Sequence, residues 1–257
     1  MLKFKVVNGI FLSGLTLLIG LEFLSIHSIY TYVIWIVLYL VFLIYGTVIL
    51  SAGFFIPIKY KGTFSSGAIA ITFDDGPIPG KTEKILEVLK LYKVHAAFFC
   101  IGNRVASNLT LAKQIHADGH LLSNHSYWHK STFDLQRTEK IQDELTTTDT
   151  AIHNAIGLKP AFFRPPYGVT NPMVAKAIVK GGYKTIGWSI RSFDTISKDR
   201  DALFNRVTKS LKGGDIVQFH DYCSITLEIL PDFLMYTSKR GLKIVRLDKL
   251  LNEKAYV

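Results

Sequence analysis

From residue 6 to residue 58 the chain carries one charged side chain, Glu22. A membrane crossing takes roughly 20 apolar residues, so this stretch is long enough for two. The expected spans are residues 6–25 and 31–56, with the polar segment 26–30 between them. Two alternatives compete. The helices could be buried in a soluble protein, but an apolar stretch this long would then expose itself. A cleaved leader followed by one span is the other, and the stretch shows no clear small-x-small cleavage site. Glu22 is costly in lipid, so it is expected near the interface or paired with the second helix. The resulting division is an anchor over 1–58, a linker over 59–67 and a domain over 68–257. Lys3 and Lys5 precede the first span, Lys59 and Lys61 follow the second, and the connection has no Lys or Arg. The positive-inside rule then expects a multi-pass protein of the cell membrane with its domain on the cytoplasmic side.

The chain has 30 Lys+Arg against 20 Asp+Glu, a net charge of +10. Lys3, Lys5 and Glu22 leave the anchor nearly neutral, so the domain holds most of this excess. A basic domain beside a bilayer suits anionic headgroups or phosphate-bearing substrates; a solvated basic surface without a specific partner fits equally well. No nucleic-acid partner is expected, because the positive charge is dispersed rather than gathered in one stripe. The two cysteines, Cys100 and Cys223, demand no disulfide. Nothing in the sequence speaks to oligomeric state.

Beyond the anchor, apolar segments alternate with segments of helical period. Strands are expected at 68–73, 95–101, 120–123, 161–163, 184–188, 215–219 and 242–246. Helices are expected at 82–92, 104–118, 172–180, 200–211 and 225–240, with another carrying Ile141, Leu145, Thr148, Ile152 and Ile156 and stopped by Gly157. Such alternation implies a parallel sheet. Seven strands suit a distorted (β/α)7-type barrel, so the fold class is α/β behind two transmembrane helices. Asp74, His125, Arg164, Asp194 and His220 each fall at or just after a strand end, where α/β barrels gather their chemistry.

Asp74-Asp75-Gly76-Pro77 reads as a sharp turn. Neighbouring side chains on a strand point oppositely, so two carboxylates need such a turn to converge. His125 and His129 lie four apart, a spacing that puts them on one face of a helical turn. Alone, an Asp-Gly-Pro turn or a histidine pair is ordinary; together at adjacent strand ends they form a metal set. One carboxylate and two imidazoles suit zinc and leave a position open for water, with the second carboxylate as base. Arg164-Pro-Pro-Tyr167 is a stiff loop whose guanidinium can orient Asp74 and whose Tyr167 N–H can serve an oxyanion. His220 can protonate a leaving nitrogen, and Val217 and Phe219 could wall a small acyl pocket.

These motifs, in order and at these intervals, resemble the polysaccharide deacetylases of the NodB-homology group, carbohydrate esterase family 4. The resemblance covers residues 66–250. It implies a distorted barrel, a divalent metal, usually Zn2+, and removal of N-acetyl groups from amino sugars of a glycan or glycolipid. By position, Asp74 is the base, Asp75, His125 and His129 bind the metal, Arg164 steadies the base, and Tyr167 with the metal stabilises the oxyanion. His220 is the acid. One motif departs. Relatives carry Trp-x-x-Asp-x-x-Asp-Trp where this chain has Trp188-Ser-Ile-Arg191-Ser-Phe-Asp194-Thr195. Trp188 is expected in the substrate pocket. Either Arg191 points away and Asp194 partners His220, or Arg191 lowers the pKa of His220 and shifts the working pH. Two other functions stay open: the same site acting on an O-acetyl or N-formyl group, and a non-catalytic carbohydrate- or lipid-binding membrane protein.

Overall fold

The structure is a computed structural model that describes residues 3–22, 28–62 and 67–257. Most of the connection between the apolar helices and residues 63–66 of the expected linker lie outside the described residues.

Helices α1 (Phe4–Glu22) and α2 (Ile29–Val48) are long and apolar enough to cross a membrane, and only 6% of each is buried. A core hairpin of a soluble protein would hide these side chains, so that alternative has no support among the described residues. Polar groups are matched between the helices: Trp35 Nε1 donates to Phe11 O at 3.0 Å, and Tyr39 Oη to Asn8 Oδ1 at 2.9 Å. Glu22 accepts from Tyr32 Oη at 2.9 Å, one of the two placements expected for it.

The second helix is shorter than expected. It stops at Val48, and beyond it Leu50, Phe54 and Ile56 are buried against protein. A 3-10 turn at Leu50–Ala52 reverses the chain. Phe54 lies against Gly46, where any Cβ would collide with its ring. Ile56 joins the core with Phe133, Phe163 and Ile178. Strand β1 (Ile58–Lys59) then pairs in parallel with β6 (Lys184–Ile186). The start of the expected linker is therefore part of the sheet.

The sheet has nine strands among the described residues. Besides β1 and β6 these are β2 (Ala68–Asp74), β3 (Ala97–Cys100), β4 (Leu121–Asn124), β5 (Phe162–Phe163), β7 (Ile190–Arg191), β8 (Ile216–His220) and β9 (Lys243–Ile244). The order is β1-β6-β5-β4-β3-β2-β8-β7, with β9 beside the start of β2, and every pairing is parallel. The sheet curls into a distorted half-barrel. The two strands the sequence reading omits, β1 and β7, are two residues long, too short for a period to register. Helix α3 (Thr82–Leu91) follows β2, and the segment expected as one helix over 104–118 is two, α4 (Gly102–Ser107) and α5 (Leu109–Ala117), divided at Asn108. Helix α6 (Thr138–Ile156) ends at Gly157, whose φ of 72° is the left-handed value glycine accepts most cheaply. Asn171 caps α7 (Pro172–Gly181), its Oδ1 accepting from Val174 N at 2.9 Å.

Strand parity sorts core from site. On β2, Ile69, Ile71 and Phe73 join the layer beneath the helices, while Thr72 and Asp74 point to the barrel interior. On β8, Val217 and Phe219 are fully buried with Phe73, and Phe219 packs on Phe233 at 5.5 Å. These two residues do not wall an acyl pocket: a period of two turns them away from the face that Gln218 and His220 share.

His120, just before β4, is buried and accepts the Ala96 N–H on Nδ1 at 3.0 Å, so its proton sits on Nε2. Burial, with His95 beside it, pushes its pKa down to about 4. The unfolded chain takes up this proton near pH 6.5 and the folded chain does not, so stability falls as the pH drops from 6.5 towards 4. The loss is expected to reach about 3 kcal/mol by linkage. Urea unfolding at pH 7 and pH 4.5 checks this; His120→Gln, which keeps an acceptor for Ala96, should reduce that difference by the share His120 contributes.

Candidate active site

Asp74 ends β2 and is buried. Arg164, just past β5, donates from Nη1 to Asp74 Oδ1 at 2.5 Å, and Gln218 Nε2 donates to Asp74 Oδ2 at 2.7 Å. Arg164 is itself fully buried. It also bonds Thr72 Oγ1, Ile186 O and Gly187 O, and its guanidinium lies 3.9 Å from the Phe99 ring centroid. The base candidate thus has both oxygens oriented by fixed donors.

Asp75 has φ 75°, and this left-handed step brings two successive carboxylates to one cleft. The turn is pinned by Asp75 N to Phe99 O at 3.1 Å and by Arg104 Nη1 to Asp75 O at 2.6 Å. Gly76 follows because a Cβ there would collide with the buried Asp221 carboxylate.

His125 and His129 are not on a helical turn. They flank a loop in which Ser126 (φ 62°) and His129 (φ 52°) are both left-handed. Local acceptors win over helix bonds here. Asn124 Oδ1 takes Ser126 N, Ser126 Oγ takes His129 N, and the buried Glu144 of α6 takes the N–H groups of Tyr127 and Trp128. The loop still delivers both imidazoles to Asp75: His125 Nε2 and His129 Nε2 lie 3.4 and 3.3 Å from Asp75 Oδ1.

These three residues fit a metal ion. One donor atom from each lies within 4.8 Å of the others. Asp75 Oδ1 is buried with no hydrogen-bond partner, which a cation would supply. His125 Nδ1 is 2.7 Å from Arg164 O, and a carbonyl only accepts, so the proton sits on Nδ1 and Nε2 is bare. Burial and the neighbouring His125 hold the pKa of His129 down at about 4, leaving it a neutral ligand. Burial opposes the charge of Asp75, yet His125, His129 and His220 hold its carboxyl well below the ordinary range.

His220 ends β8 directly opposite Asp74 in register. Its Nδ1 lies 2.7 Å from Asp194 Oδ1, while Asp194 Oδ2 accepts from His220 N and Thr226 Oγ1. Burial works against a charged imidazole, but the Asp194 hydrogen bond and charge, with Asp74 and Asp75, raise its pKa above the usual value. Arg191 does not displace that pairing: its guanidinium lies 5.2 Å from the Trp188 ring and 4.8 Å from Phe193, at the rim of the same cleft. Of the two arrangements the sequence left open, the structure has the Asp194 pairing.

The cleft above these groups holds about 180 Å3 and is rimmed by Tyr167, Trp188, Arg191 and Thr195. Tyr167 is left-handed, with φ 59°. Several supporting residues escaped the sequence reading, Gln218, Glu144 and Asn124 among them. Gln218 shares strand parity with His220, which could have revealed it. Glu144 interrupts the apolar stripe of α6, a usable signal. Asn124 offered none.

Residues 61–186 match the polysaccharide deacetylase family model. A peptidoglycan-N-acetylglucosamine deacetylase of Bacillus cereus is 36% identical over 191 residues, covering 72% of this chain and 89% of the relative. The chain belongs to the polysaccharide deacetylase family. Its members are metal-dependent, in keeping with the Asp75, His125 and His129 set. Listeria monocytogenes PgdA, a peptidoglycan-N-acetylglucosamine deacetylase, is 32% identical over 74% of this chain but only 40% of its own length. Among solved structures, BA3943 of Bacillus anthracis, a family pseudoenzyme, superposes with a TM-score of 0.72 at 30% identity, over 77% of this chain and 70% of its own. Likeness to an inactive relative makes the site residues of this family member the deciding matter.

Proposed function

We propose that the chain is a membrane-anchored, metal-dependent deacetylase removing N-acetyl groups from N-acetylglucosamine-type residues. One observation carries the reading: Asp74 and His220 are register partners on the neighbouring strands β2 and β8, both lining the cleft that holds Asp75, His125 and His129. A base and an acid opening into one cleft beside a metal set are what amide hydrolysis requires. The exposed apolar helices α1 and α2 support the anchor, and the lysines flanking them favour a cytoplasmic domain.

Asp75, His125 and His129 would hold the cation, and one carboxylate with two imidazoles suits Zn2+. Once bound, such an ion polarises an amide carbonyl and acidifies water. Asp74, held by Arg164 and Gln218, takes the proton of the attacking water. The Tyr167 N–H at the rim serves the developing oxyanion. His220 hands a proton from Nε2 to the leaving nitrogen, because an amine departs poorly unless protonated, and Asp194 keeps the imidazole aimed. Trp188 forms the apolar side of the substrate pocket.

The test is acetate release from N-acetylglucosamine oligomers by the full chain, with a chelator and with metal restored. Activity lost on chelation and regained with Zn2+ is expected; undiminished release after chelation overturns the mechanism. A pH profile checks the acid. Asp194→Asn removes the largest of the effects that raise the pKa of His220 and leaves the burial that lowers it, so the alkaline limb of kcat/KM should move to lower pH.

A second reading has its own observation. Where an apolar acyl pocket was expected, the cleft offers Gln218 and Thr195. An N-formyl group, which has no methyl to bury, would tolerate such walls, and acid release from matched N-formyl, O-acetyl and N-acetyl substrates separates the cases.

A further inference from the structure

Arg191 lines the cleft but takes no part in the chemistry derived above. Strand parity says where its side chain points. Arg191 ends β7, and its register partner on β8 is Gln218. Register partners on neighbouring strands share a face of the sheet. Gln218 reaches inward to Asp74, so Arg191 is turned to the cleft as well. The guanidinium agrees. It lies 5.2 Å from the ring of Trp188, which borders the same cleft, and 4.8 Å from the ring of Phe193. Burial works against its charge, while Asp74 and Asp194 act through space in its favour. Ring contacts hold a guanidinium in place and leave the N–H groups in its plane for an anion.

The acidic groups of the site are answered elsewhere. Asp74 is paired with Arg164 and Asp194 with His220, and Asp75 faces the imidazoles of His125 and His129. Among the described residues no hydrogen bond or ion pair engages Arg191. A second guanidinium, Arg206 of α8 (Arg200–Thr208), lies 5.1 Å from the same Phe193 ring and adds positive potential to this wall. A half-buried guanidinium without a carboxylate of its own can take an oxyanion through two parallel N–H bonds. The reach is also right. β7 is two strands from β2, and strands lie about 4.8 Å apart, so Arg191 stands roughly 10 Å from the strand of Asp74. One hexose with one substituent covers that span.

We propose that Arg191 binds an oxyanion of the substrate, a carboxylate or a phosphate carried on O3 or O1 of the sugar that bears the acetamide. This rests on the deacetylase reading and narrows its substrate to acidic amino sugars. Arg191 is then a residue of substrate choice, outside the proton transfers of Asp74 and His220.

The full chain is assayed on two matched pairs: N-acetylglucosamine with a carboxyalkyl ether on O3 against the uncharged amide of that ether, and N-acetylglucosamine 1-phosphate against the methyl glycoside. In one pair or both, the charged member should show about tenfold the kcat/KM of its counterpart, the worth of one charge-assisted contact. The gain should lie in KM, because the contact is made equally before and during the reaction. The pair that shows it tells carboxylate from phosphate. Arg191→Gln should bring the ratio to about one, and Arg191→Lys should keep part of it. Each ratio is taken within one protein, so a general loss of activity cancels. If Arg191→Gln does not fold, salt decides on the unaltered chain: the advantage should shrink as ionic strength rises, while turnover of the uncharged members holds. Ratios near one in both pairs, a preference that Arg191→Gln leaves intact, or a preference indifferent to salt each overturn the proposal, and turnover of the uncharged sugars then keeps the deacetylase reading in place. Hydrolysis of none of the four sugars, nor of chitotetraose, overturns both.

Discussion

Asp74→Asn is expected to lower acetate release about a thousandfold while the protein still folds and binds its metal. The change keeps the shape of the side chain and removes its basicity. An Asn Oδ1 can still accept from Arg164 Nη1. The amide that replaces Oδ2 would face the donor Gln218 Nε2, but Gln218 Oε1 is buried without a partner and can take that contact if the Gln218 amide turns over. Asp75, His125 and His129 are untouched, so metal bound per protein by mass or emission spectroscopy should match the unaltered chain. Acetate release within tenfold of the unaltered chain would remove Asp74 from the role of base. Asp75→Asn makes the contrast: there activity and metal should be lost together, because the change strikes the oxygen that both imidazoles face.

How much of this was legible in the sequence depends on the range of the interaction concerned. The β2 strand, its Asp74-Asp75 turn and the strand-end placement of Arg164 and His220 follow from apolar runs and turn residues, which are local signals. The loop at His125 was misread because four-residue spacing has two solutions. Helix is one; the other is set by Asn124, Ser126 and Glu144, and Glu144 is brought there only by α6. Val217 and Phe219 could have been excluded from the cleft by parity alone, since His220 fixes which face of β8 looks inward. Residues 49–56 read as membrane because apolarity does not say what covers it; Phe54 and Ile56 are covered by protein. Arg191 was undecidable from sequence, since a guanidinium is as ready to lie on Trp188 and Phe193 as to face a carboxylate.

Arg164→Met is expected to destabilise the chain by about 3–5 kcal/mol, because it strands a buried carboxylate. Arg164 has no exposed surface, and its carboxylate partner Asp74 is 1% exposed. Without the guanidinium, Asp74 keeps one donor, Gln218, and the carbonyls of Ile186 and Gly187 lose theirs. Methionine fills much of the volume beside Phe99, so the loss should reflect charge more than cavity. Arg164→Lys should recover only part of it, since an ammonium cannot serve Thr72, Asp74 and two carbonyls from one plane. The decisive comparison is the double variant. If the penalty is an unpaired charge, Asp74→Asn added to Arg164→Met should restore stability, whereas the same change in the unaltered chain should reduce it. Urea unfolding of the four proteins yields the coupling directly. A coupling near zero, or an Arg164→Met protein as stable as its parent, would mean that the pair positions the base without holding the barrel together.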